Sequence, residues 1–167
     1  MNPADAASLA TQADRALAAL VGLPLRGSAR EDNALYLDFG THSLAVLCAW
    51  RLTSAGALVA GSGDLFTPAD PDADPEEFDW QEAGSTWWDA RMRAFHAERE
   101  QSMPVVRSLR ADALLGLAIT FDDGTRLEVF PHSTAAAHVV TEFWRLVPDG
   151  PGAAATVATS EGLEAIA

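Results

Sequence analysis

Residues 114–130 form two runs with apolar side chains at alternate positions, one on each side of Asp122-Asp123-Gly124. Few local structures accommodate that pattern. Leu115, Leu117, Ile119 and Phe121 share one face of an extended chain, and Leu127 and Val129 repeat the period of two. The Asp-Gly pair between them supplies the positive φ that a tight turn joining antiparallel strands demands. The fold is therefore expected to contain an antiparallel sheet, with these residues in its core.

Further strand patterns flank this hairpin. Leu35, Leu37 and Phe39 alternate with Tyr36 and Asp38, and the run 44–52 is apolar on both faces, as a central strand covered on both sides would be. Segment 57–60 follows a Ser54–Gly56 turn and is expected to close a three-stranded meander. Segments 105–110, 142–147 and 154–159 complete a set of about eight strands.

Two helices are expected. Asn2-Pro3 reads as an N-cap and first helical position, and Leu9, Ala13, Leu17 and Leu20 recur at helical spacing until Gly22 and Pro24, which gives a helix over 3–21. Thr86 with Asp89 three residues on resembles a capping box, and Trp88, Met92 and Phe95 fall on one face of a central helix over 86–101. The fold class is α+β: an N-terminal helix, largely antiparallel meanders of about seven or eight strands, and one central helix packed on the sheet. At 167 residues a single domain over 1–167 suffices, because a chain of this length buries enough surface in one core.

Charge is the second constraint. All 11 basic residues are Arg, against 24 Asp and Glu, and the formal charge is −13. Such a chain repels phosphate backbones and anionic membranes, so nucleic acid and membrane are not expected partners, whereas basic protein surfaces are. The absence of a signal-peptide pattern or a long apolar span gives a cytoplasmic expectation. Cys48, the one cysteine, lies in an apolar run and reads as a buried inert thiol.

The acidity is concentrated. Eight carboxylates fall between Asp64 and Glu82 with no basic residue among them, interleaved with Pro68, Pro71 and Pro75. Residues 64–84 are expected to form an extended acidic loop. Asp70, Asp72 and Asp74 alternate as calcium ligands do in an EF-hand. However, Pro75 stands where that loop needs Gly, and Gln81 where it needs the closing Glu, so a solvated loop is favoured. Asp70, Asp72, Asp74, Glu76, Glu77 and Asp79, with Trp80 and Trp87 beside them, are the candidate surface for a basic partner.

Chemistry-bearing patterns are sparse. Gly61-Ser62-Gly63-Asp64 lacks the Lys of a phosphate loop and reads as a turn; His42, His96, His132 and His138 are scattered; His96 and Glu100 share a helical face. No cofactor, metal or catalytic residue is expected. Trp50-Arg51 and Trp144-Arg145 each place a guanidinium on a strand, with Asp64, Glu128 and Glu142 as candidate carboxylate partners. These five charged residues form either structural ion pairs or an alternative ligand site.

Cys48-Ala49-Trp50-Arg51, Gly61-Ser62-Gly63-Asp64-Leu65, the run from Asp123 to Pro131 and Glu142-Phe143-Trp144-Arg145-Leu146, in that order, resemble a group of small, mostly actinobacterial proteins of unknown function. The resemblance covers about residues 35–160 and implies no activity, cofactor or catalytic residue. The Ala-rich stretch 134–140 departs from the group's pattern. The expected function is a non-catalytic protein-interaction module, such as an immunity protein that neutralises a basic effector. The alternative is a small-molecule-binding domain or enzyme with a site between sheet and central helix, using Arg51, Arg145 and a carboxylate.

Overall fold

A computed structural model describes residues 3–133 and 139–166, with side chains from Asp5 onward. The chain is α+β, with an N-terminal helix, a central helix and, among the described residues, eleven strands in two antiparallel sheets. Helix α1 (Pro3–Leu17) ends in a 3₁₀ turn over Ala18–Leu20, three residues wide, and Gly22 at φ +86° then turns the chain away. Its Ala13, Leu17 and Leu20 are buried, as their spacing predicts. Asn2, the expected N-cap, lies outside the described residues.

Strands β1 (Gly27–Glu31), β2 (Ala34–Asp38) and β3 (His42–Val46) form one half of a six-stranded sheet. The other half is β9 (Glu142–Pro148), β10 (Ala155–Thr159) and β11 (Gly162–Ile166), in the order β1-β2-β3-β9-β10-β11. The second sheet runs β5-β4-β8-β7-β6 and contains β4 (Ala49–Ser54), β5 (Ala57–Gly61), β6 (Val106–Ala111), β7 (Leu117–Phe121) and β8 (Arg126–Phe130).

The run 44–52 is therefore not one central strand. It is the end of β3 and the start of β4, which lie in different sheets, with Leu47 and Cys48 at the corner and Leu47 N–H donating to Phe143 O at 2.8 Å. Both strands bury side chains, so the apolar pattern runs on through the corner without a break. The expected early meander is divided in the same way, β2 and β3 in one sheet and β4 and β5 in the other. Eleven strands replace about eight because this run splits, and because β1 and β11 are edge strands in which no residue is fully buried.

The hairpin from β7 to β8 forms around the expected Asp122–Gly124 turn, but β7 starts only at Leu117. Leu115, expected on the extended face, stands at φ +65° in a turn where its N–H donates to Asp112 O (3.1 Å) and Asp112 N–H donates to Gly116 O (2.9 Å). Phe121 and Thr125 close the turn, and Gly124 takes φ +83°. Leu115, Leu117, Ile119, Phe121, Leu127 and Val129 are all buried. Facing rows from the other sheet, Leu35 beside Val46 and Leu44 beside Leu146, join the same core. Between them a small internal space, lined by residues such as Leu35, Trp50, Met92 and Phe121, amounts to ≈ 10 Å³ and is apolar. That is at the threshold for a single water, so the interior is filled by side chains.

Each helix flanks the pair of sheets. Helix α1 lies against β6 and β11, while α2 (Trp87–Glu98) lies against β5 and the 3₁₀ turn that follows it, and sends side chains to β1. Thr86 caps α2 with the expected reciprocal bonds: its hydroxyl accepts from Asp89 N, and the Asp89 carboxylate accepts from Thr86 N. Trp88, Met92 and Phe95 are buried on the face their spacing defines.

Candidate partner-binding surface

The acidic segment begins beyond β5 with a 3₁₀ turn, Ser62–Phe66, where the Asp64 carboxylate accepts from Gly61 N–H at 2.8 Å. Gly61-Ser62-Gly63-Asp64 is thus a self-satisfied turn. Asp64 caps its own backbone and forms no ion pair with Arg51 or Arg145. The loop that follows is closed at its base, because Trp87 N–H donates to Thr67 O (2.7 Å), Ala69 N–H donates to Ser85 O (2.8 Å), and Pro68 bridges Thr86.

Within the loop, Asp70, Asp74 and Asp79 each turn one carboxylate oxygen onto the backbone N–H two residues on, at 2.9 Å. These turns fix the loop without neutralising it. Asp70, Asp72, Asp74, Glu76, Glu77, Asp79 and Glu82 are exposed, and none meets an arginine at ion-pair distance among the described residues. Nor do they converge, and no group of three His, Cys, Asp or Glu among the described residues is placed to hold a metal.

Aromatic side chains border the acids. Trp80 is half-buried against Phe66, with ring centroids 5.0 Å apart; Phe66 itself is 52% exposed. Trp87 is 41% exposed and carries the Arg91 guanidinium over its ring, whereas Trp88 is in the core. The acids, Trp80 and Trp87 are thereby brought to one segment.

The loop is tied to the six-stranded sheet by a residue that the sequence pattern did not single out. Arg30 on β1 donates from Nε and NH2 to the two Asp89 carboxylate oxygens (3.1 and 2.9 Å) and from NH2 to Glu82 O (2.8 Å). Burial alone would raise the Asp89 pKa, but the hydrogen bonds from Arg30 and Thr86 outweigh it and hold the carboxyl below its ordinary range. No local signal identifies this pair, since its members are 59 residues apart.

The two strand arginines do not share a site. Arg51 on β4 pairs with Glu128 at 2.7 Å and lies over the Phe130 ring, while Arg126 reaches the other Glu128 oxygen at 3.1 Å. Arg51's hydrogen bond is the main cause of a lowered Glu128 pKa. Arg145 lies on the other sheet in a two-pronged pair with Glu142, at 2.7 and 2.9 Å, which raises its own pKa. Glu142 and Arg145 would face opposite ways on a regular strand. An irregularity at Phe143 shifts the register against β10 and puts both on one side. The expected convergence of Arg51, Arg145 and a carboxylate is not formed, and the interior beneath α2 is filled.

The remaining candidates disperse. His96 Nε2 lies 2.8 Å from Ser28 Oγ, a contact not foreseen from its spacing to Glu100, and burial, with Arg99 nearby, lowers its pKa. His42 meets Thr41, and His132 lies beside Ala49 N. His138 lies outside the described residues. Cys48 is 5% exposed, and burial pushes its thiol up to about 12. No helix among the described residues is long and apolar enough to cross a membrane.

No protein-family model, curated protein or solved structure matches the chain.

Proposed function

We propose that the chain is a non-catalytic protein-interaction module that binds a basic protein in the manner of an immunity protein, with the acidic loop and its aromatic border as the docking surface. One observation carries the reading: seven exposed carboxylates, none with an arginine partner among the described residues, sit on a loop fastened at its base and to β1. Like charges held together without counter-ions repel one another, and a cationic surface relieves that repulsion while steering the encounter. Trp80 and Trp87 beside them offer the amphipathic area that protein interfaces favour. The filled core and the separated arginines favour this reading over a metabolite site between sheet and helix.

The test is affinity capture from native lysate at low salt, followed by mass spectrometry of what elutes as salt is raised. A basic protein released by salt is expected. Recovery of no basic partner across growth conditions would reject the proposal.

A further inference from the structure

Sheets offer partners their edges, and this molecule treats its edges unequally. The β5 edge is capped by Arg91, whose Nε donates to Val59 O at 2.9 Å. The β6 edge is occupied by Leu23 O, which accepts from Val106 N–H at 2.9 Å, and by the Asp14 carboxylate, which accepts from Ala111 N–H at 2.6 Å. Helix α1 lies beside β11. The edge of β1 is different.

Phe39 N–H donates to His42 O, so alternate residues 35, 37 and 39 turn towards β3, and Ala34, Tyr36 and Asp38 turn towards β1. Their partners in β1 are Glu31, Ala29 and Gly27. Ser28 and Arg30 consequently direct their backbone N–H and C=O groups outward, and among the described residues no hydrogen bond reaches either backbone from outside the sheet. They face an open cleft of ≈ 590 Å³, bounded by residues 28–32 on one side and by Gln81, Ala83, Trp88 and Asp89 on the other.

We infer that this cleft receives an extended segment of a partner protein, which adds to β1 as a seventh strand of the six-stranded sheet and carries Arg or Lys side chains. The inference rests on the proposed binding of a basic protein and names how that protein engages. The open backbone edge selects an extended chain. Charge selects its side chains: Glu31 and Asp32 line the strand end of the cleft, where Gln81 Nε2 donates to Asp32 Oδ1 at 3.2 Å, and the exposed Asp79 and Glu82 flank Gln81 in the loop sequence. The one guanidinium lining the cleft, Arg30, is 7% exposed and already bonded to Asp89 and to Glu82 O, so it neither repels a cation nor satisfies the exposed acids.

The experiment titrates the ¹⁵N-labelled chain with the peptide Arg-Val-Arg-Val-Arg-Val-Arg-Val, following amide shifts and hydrogen exchange. Amide exchange at Ser28 and Arg30 is expected to slow by about tenfold or more at saturation, since those N–H groups become bonded. Ser28→Pro, which removes an outward N–H while leaving the bonds to β2, is expected to weaken binding about tenfold. Ser28→Ala, which loses only the His96 contact, is expected to bind as the parent does. Shifts confined to 70–82, with exchange at Ser28 and Arg30 unchanged, would overturn strand addition and leave the acidic-loop reading standing. No shift anywhere would overturn both. Equal binding of the peptide with Glu in place of Arg would overturn the assignment of charge.

Discussion

Arg30 and Asp89 meet through two hydrogen bonds of 2.9 and 3.1 Å across 59 residues, with side chains only 7% and 13% exposed. That pair joins β1 to the first turn of α2, and the same guanidinium holds the acidic loop at Glu82 O. Arg30→Met leaves the carboxylate largely buried without its cation and is expected to cost about 3 kcal/mol in urea unfolding. Asp89 binds fewer protons folded than unfolded. Its contribution is therefore complete above the ordinary value of 3.8 and is lost as pH falls through the lowered folded value. Arg30→Met should flatten that acid limb.

His96 supplies a second pH dependence of the same sign. Its folded pKa lies below the ordinary 6.5 because the ring is partly buried against Ser28 with Arg99 near. The folded chain thus binds fewer protons there, and stability falls as pH drops from 6.5 towards the lowered value. His96→Gln is expected to remove this slope, as measured by urea midpoints across the window.

Arg145→Met tests the surface pair. Arg145 is 42% exposed and Glu142 23%, so solvent screens the interaction and a loss under about 1 kcal/mol is expected in urea unfolding. A larger loss would show that the guanidinium supports the sheet beyond its ion pair.

Cys48 is expected to resist thiol reagents at neutral pH until the chain unfolds, because burial keeps it protonated and out of reach. Reaction with Ellman's reagent before and after adding denaturant checks this. Rapid modification of the folded chain would contradict the corner geometry at Leu47–Cys48.

How much of this fold was legible follows from how local each determinant is. The β7–β8 hairpin and the Thr86–Asp89 cap were readable because a turn and a cap need only neighbours in sequence. The division of 44–52 was not, since a strand pattern records that side chains are buried and not which sheet buries them. Strand β1 was hidden by Ser28 and Arg30, which point inward yet are polar because α2 supplies their partners. The Glu142–Arg145 pair depended on an irregularity that alternation cannot foresee. In the candidate surface, the acids and tryptophans were legible as composition, whereas the fastening by Arg30 and the open β1 edge arise only from topology.

The central claim is that the acidic loop carries partner binding and little of the fold. It is tested most directly by neutralising Asp70, Asp72 and Asp74 to Asn, and Glu76 and Glu77 to Gln, then comparing this variant with the parent in urea unfolding and in capture of the basic partner from lysate. The exposed, unpaired carboxylates predict an unchanged midpoint and loss of the partner. A variant that retains the partner undiminished, or one that unfolds at markedly lower urea, would contradict the account.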